Sequence, residues 1–128
     1  MIGLDTGYFV ALLQGDSIAV KIWKELINGT EEAVVSCLTL FELERLSLRG
    51  AIEQTDVILE AIHAVCKVGW LEGAEIISRA ARLSHGIGTP SVDSLILATF
   101  EAQAATTIYT TDSHLTRYQK EGVKVVVL

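Results

Sequence analysis

Apolar positions along the chain switch between two periods. The opening "MIGLD" is a short continuous apolar run closed by Asp5, and it predicts a strand. "TGYFVALLQ" predicts a short helix that stops near Gly15. Asp16 or Ser17 can cap the next helix, "IAVKIWKELING", which runs to Gly29. "AVVS", rich in β-branched residues, predicts a second strand. "CLTLFELERLSLRG" predicts a helix ending at Gly50, "AIEQTDVILEAIHAV" another helix, and "CKVGWL" a weak strand. "EGAEIISRAARLSHG" predicts a helix with Gly86 as its stop. Pro90 suits the first turn of the following helix, "TPSVDSLILATF", with Thr89 as N-cap. "TTIYTT" and "VKVVVL" predict the last two strands, with a short helix, "DSHLTRYQ", between them.

This alternation predicts one α/β domain over residues 1–128, a three-layer α/β/α sandwich around a central, mostly parallel sheet. The segments "IGL", "AVV" and "VVV" are apolar on both faces, as strands covered by helices on each side should be.

Composition narrows the class. Half of the 128 residues are apolar and the mean hydropathy is +0.42, yet no apolar run approaches the roughly 18 residues of a membrane span. The N-terminal stretch lacks a basic region and carries Asp5, which fits a first strand better than a signal peptide, so a cytoplasmic location is expected. The apolar surplus predicts a buried partner interface, with the two helices between Thr6 and Ile27 as candidate contact surfaces. Cys37 and Cys66 lack metal-ligand spacing and suit buried free thiols. A net charge of −6 lacks the basic footprint of most nucleic-acid binders, but total charge says little about one cleft.

Four carboxylates sit at element ends. Asp5 follows the first strand and Asp112 follows "TTIYTT". Asp93 lies in the first turn after Pro90, and Glu42 sits early in the helix after "AVVS". In an open α/β sheet such ends can gather at one edge, where ligands bind. Each has a local alternative. Asp112 can cap the helix at Ser113. "TLFE", Thr39 to Glu42, matches a capping box, and Glu42 can pair with Arg45. Asp93 gains roughly 0.3–1 kcal/mol from the helix dipole. Asp5 is the hardest to place otherwise, because strands disfavour aspartate. Four carboxylates in one cleft repel each other unless some stay protonated, and a divalent cation with oxygen ligands resolves the conflict.

The segments "LDTGYF", "TLFELERL", "SVDSLILAT" and "IYTTDSHL" resemble, in order and spacing, the four acidic motifs of PIN-domain nucleases, especially the small stand-alone VapC-like toxins. The resemblance implies a Mg2+- or Mn2+-dependent endoribonuclease that works as a homodimer and is silenced by an antitoxin. It implies Asp5, Glu42, Asp93 and Asp112 as the catalytic quartet, the three aspartates as metal ligands, and Thr6 and Thr110 as supporting positions. Ser94 stands where the family often has alanine, Leu115 where it often has an aromatic residue, and Ser113 and His114 where some members add a fifth acid.

Other features are weaker. His63, His85 and His114 lack zinc spacing, although His114 is near enough to Asp112 to reach a phosphate. Arg45 and Arg49 suit either RNA phosphates or a solvated face. Trp23 and Trp70 suit core or interface, and Ser36 and Thr39 have no histidine partner for nucleophilic catalysis. The single glycine of "DTGYF" argues against a dinucleotide-binding loop, and Gly7 stands where an aspartyl-phosphate phosphatase would want a second aspartate, two residues after Asp5. The remaining alternatives are a non-catalytic PIN-like interaction module and a housekeeping RNA-processing nuclease.

Overall fold

The computed structural model describes residues 1–128. The strands are β1 (Ile2–Leu4), β2 (Ala33–Ser36), β3 (Lys67–Gly69), β4 (Thr107–Thr110) and β5 (Lys124–Val127). The helices are α1 (Thr6–Leu13), α2 (Ser17–Ile27), α3 (Cys37–Leu48), α4 (Thr55–Val65), α5 (Ala74–Ile87) and α6 (Ser91–Ala102), followed by a 3-10 turn at Ser113–Arg117. All strand pairs are parallel, in the order β3-β2-β1-β4-β5.

Alternation along each strand feeds two cores. Ile2, Leu4, Ala33 and Val35 face one side, packed under α1, α2, Leu43 of α3 and Ile58 and Ile62 of α4. Val34 and Ile108 face the other, beneath α5, α6 and the 3-10 turn. The expected sandwich is present, with a fully parallel sheet. β1 and β2 are buried on both faces; β5, at the sheet edge, is only partly covered, so its apolar run does not mark a doubly buried strand.

Helix ends follow local chemistry. Asp16 caps α2 by accepting from the N–H groups of Ile18 and Ala19. Two expected ends move. Gly86 lies inside α5, which runs on so that Ile87 packs against the core; Gly88, at φ 67°, closes the helix. Thr89 does not cap α6, where Pro90 occupies the cap position without a side-chain bond. The helix expected from Ala51 starts at Thr55, behind Gln54 in the left-handed region at φ 60°.

Glycine lets α6 lie close on the sheet. A Cβ at Gly3 would come within 2.9 Å of the Phe100 ring, and one at Gly69 would strike Thr99 Cγ2. Phe100 is fully buried, so the ring has little room to give. Gly3→Ala is expected to cost about 1–3 kcal/mol through overpacking. In denaturant melts the loss should be less than additive with Phe100→Leu, because the smaller side chain relieves the same clash.

No helix is long and apolar enough to cross a membrane. Cys37 and Cys66 are free thiols, half-buried rather than fully buried. Tyr8, Phe9 and Ala11 of α1 belong to the core, so α1 offers little apolar surface to a partner. The exposed large apolar side chains are instead Ile18 and Ile27 on α2, Phe41 and Leu48 on α3, Val57 on α4, Trp70 after β3, Ile77 on α5 and Val127 on β5, with Leu48 89% exposed.

Candidate active site

The parallel sheet puts the carboxyl ends of β1, β2 and β4 at one edge. Asp5, Thr6, Gly7, Glu42, Asp93 and Asp112 line a single cleft of about 130 Å³ there, with Ile96, Thr111 and Leu115. Each arrives from a different element. Asp5 ends β1 and caps α1, its Oδ1 accepting the Tyr8 N–H at 2.9 Å. Glu42 comes from the second turn of α3 and Asp93 from the first turn of α6. Asp112 caps the 3-10 turn, accepting the His114 N–H at 2.9 Å. The capping role and a place in the cleft are therefore compatible for Asp5 and Asp112.

The capping-box reading of Glu42 fails. Ser36 caps α3 through the Leu38 N–H, which leaves Thr39 and Glu42 inside the helix. Glu42 makes no ion pair with Arg45. Its Oε1 instead accepts from the Thr6 hydroxyl at 2.6 Å, and the same Thr6 oxygen lies 3.1 Å from the buried Thr39 hydroxyl. Thr110, fully buried, hydrogen-bonds the Asp5 carboxyl and accepts the Asp112 N–H at 3.0 Å, tying two acids to one side chain. Gly7 is required by close approach: a Cβ there would collide with Thr111 Oγ1. The roles of Gly7 in the wall and of Thr39 behind Thr6 were not legible in the sequence, because both act through contacts with residues far along the chain.

The electrostatics are those of crowded acids. Asp5 is 8% exposed, and burial pushes its carboxyl up to about 6, against the hydrogen bonds from Thr110 and Tyr8 and with added repulsion from Asp93 and Glu42. Burial, then the charges of Glu42 and Asp112, also raise Asp93. The only basic side chain in contact with any of the four is His114, whose Nδ1 lies 3.1 Å from Asp112.

Hard oxygen donors lining one cleft, Asp5 buried and Glu42, Asp93 and Asp112 half-buried, have the donor chemistry of a divalent-cation site. As the side chains stand, no three of them close around a common point tightly enough to enclose a metal ion. Glu42 has one oxygen engaged by Thr6, leaving the other for a ligand, while the Asp5 carboxyl, held by Tyr8 and Thr110, keeps further lone pairs for one.

The sequence matches the PIN domain family over residues 2–121. The chain belongs to the PIN domain family. Solved structures with the same fold include VapBC2 from Rickettsia felis bound to a promoter DNA fragment, at TM-score 0.74 and 18% identity, covering 99% of this chain and 98% of that one. A toxin–antitoxin complex from Klebsiella pneumoniae aligns at TM-score 0.70 and 18% identity, covering 99% and 97%. VapC20 of Mycobacterium tuberculosis, described as a sarcin–ricin loop cleaving toxin, aligns at TM-score 0.68 and 20% identity, covering 91% and 93%. No curated protein matches the sequence. For this PIN domain, the acids of the cleft are the ones that the four sequence motifs carry.

Proposed function

We propose that this PIN domain is a cytoplasmic endoribonuclease dependent on Mg2+ or Mn2+, and the toxin of a toxin–antitoxin pair. The observation that carries the reading is the cleft itself: four carboxylates from four elements, two of them raised by burial and mutual repulsion, with no lysine or arginine paired to them. A fold keeps such a cluster at a cost in stability, which a functional role explains. The toxin role draws support from the toxin–antitoxin complexes among the structural relatives. A homodimer, and an antitoxin bound to it, would cover the exposed apolar side chains of α2 and α3.

Asp5, Asp93 and Asp112 would hold the cation, and Glu42 would face the attacking water. When bound, the cation supplies positive charge to the scissile phosphate and acidifies water. Glu42 takes the proton from the water as its oxygen attacks phosphorus in line. The bond from phosphorus to the 3′ oxygen breaks, leaving a 5′-phosphate and, after proton uptake from solvent, a 3′-hydroxyl. The Thr6 hydroxyl holds the Glu42 carboxylate in position. Thr6→Val is expected to lower kcat about tenfold with KM unchanged, and Thr6→Ser to restore most of it, since one hydrogen bond to a charged group is worth about 1.5–3 kcal/mol.

The test is cleavage of end-labelled single-stranded RNA in Mg2+ or Mn2+ and its loss in EDTA, with product ends identified by phosphatase sensitivity. Folded protein that cleaves no RNA in either metal would show the domain to be a non-catalytic interaction module instead.

A further inference from the structure

A second cavity, of about 240 Å³, opens beside the acid cleft and shares Asp93, Asp112 and Leu115 with it. One wall is the α5–α6 connection, Ile87 to Pro90; the other is the 3-10 turn, with His114 and Arg117. Both walls are fixed. Ser84 Oγ and Ser94 Oγ donate to the Thr89 carbonyl at 2.8 and 3.2 Å. Opposite, Leu115 and Tyr118 are buried on either side of Arg117, and the Tyr118 hydroxyl donates to Glu101 at 2.8 Å. Arg117 thus projects from anchored backbone. It is exposed and makes no ion pair, although two carboxylates line the same cavity.

Arg117 is also the one permanently cationic residue lining either cavity. An RNA strand entering the cleft brings a negative charge with every nucleotide. A cation among the acids offsets that charge at the reacting phosphate alone, and the next phosphate along the strand meets carboxylates unless another positive group receives it. A guanidinium presents a planar fork of donors that matches phosphate oxygens. His114 is less free for this task, being held by Asp112.

We propose that this second cavity is the subsite for the RNA phosphate next to the scissile one, with Arg117 as the residue that binds it. The assignment rests on the ribonuclease reading above. Binding of a single-stranded RNA oligonucleotide to Glu42→Gln protein in Mg2+, followed across salt concentration, provides the first readout. Adding Arg117→Gln should weaken binding about tenfold. It should also reduce the slope of log K against log salt by about 0.7, the value for one contact to a single strand. Arg117→Lys should keep most of the slope. Lys67→Gln, on the edge strand β3, serves as a control for net charge.

In the cleaving enzyme, Arg117→Gln should raise KM about tenfold and leave kcat unchanged. Replacing the neighbouring phosphate with a neutral methylphosphonate should weaken the parent equally and the Arg117→Gln enzyme no further. If the parent cleaves RNA while Arg117→Gln and Lys67→Gln share the same KM and salt slope, the subsite is wrong and the ribonuclease reading stands. If the parent neither cleaves nor binds RNA in Mg2+ or Mn2+, both are wrong.

Discussion

Asp5→Asn is expected to cleave no RNA and, stripped of metal, to be more stable than the parent at neutral pH. The buried Asp5 carboxyl has its pKa raised from 3.8 to about 6, chiefly by loss of water. In the unfolded chain it titrates near its ordinary value of about 3.9. The folded state therefore holds the proton more tightly. Its stabilising contribution is complete below about pH 4 and is lost as pH rises through about 6. By pH 7 the ionised, buried carboxylate costs the metal-free fold about 3 kcal/mol. Asparagine removes the charge while still offering an oxygen to the Tyr8 N–H, so the start of α1 keeps its cap. Melts in EDTA at pH 4.5 and 7.5 check this: the parent should lose stability across the interval and the variant much less. In the variant Asp93, raised for the same reason but more exposed, still lowers stability as pH rises, while Glu101, its carboxyl held low by Arg79 and Tyr118, acts in the opposite sense. Equal slopes in the two proteins would mean that Asp5 is not the buried charge that the cleft makes it.

That Asp5 is chemically odd was visible in the sequence, and so was most of the architecture. Short β-branched runs alternating with 3.6-period segments gave every strand and helix, and the ordered acids gave the family. The misread points share a physical cause. At Gly86 and Gly88 two glycines compete to end one helix, and the choice falls to Ile87, which must reach the core before the chain turns. At Ser36 and Thr39 two hydroxyls compete to start one. The winner is the residue at the strand end, while Thr39 is drawn under Thr6. The partner of Glu42 is a residue 36 positions away, beyond the reach of any local pattern. Arg117 carries no mark in any local pattern for the same reason: only the fold sets the 3-10 turn opposite the α5–α6 loop. Local chemistry reached the caps at Asp16, one of two neighbouring candidates, and at Asp112.

Asp93→Asn separates charge from shape at the helix that carries the third acid. Asp93 starts a helix whose next turns are buried almost throughout, from Ser94 to Phe100, and nothing in the fold compels a carboxylate there. The helix dipole favours it by roughly 0.3–1 kcal/mol, while lost hydration and the charges of Glu42 and Asp112 act against it. These effects oppose one another at a half-exposed site. Metal-free Asp93→Asn should therefore melt close to the parent, unlike Asp5→Asn. In Mg2+ the two variants should converge. RNA cleavage by Asp93→Asn should fall on the order of 10³-fold, as expected when a preorganised charge at the reacting phosphate is lost. The rise in melting temperature that Mg2+ gives the parent should shrink, since ligand stabilisation scales with the affinity of the folded state. A helix-end aspartate without a ligand to hold would behave differently: asparagine would cost a few tenths of a kcal/mol and leave both the metal response and cleavage intact. Cleavage by purified Asp93→Asn at the parental rate in Mg2+ would remove Asp93 from the metal site and leave the charge at the head of α6 without a function.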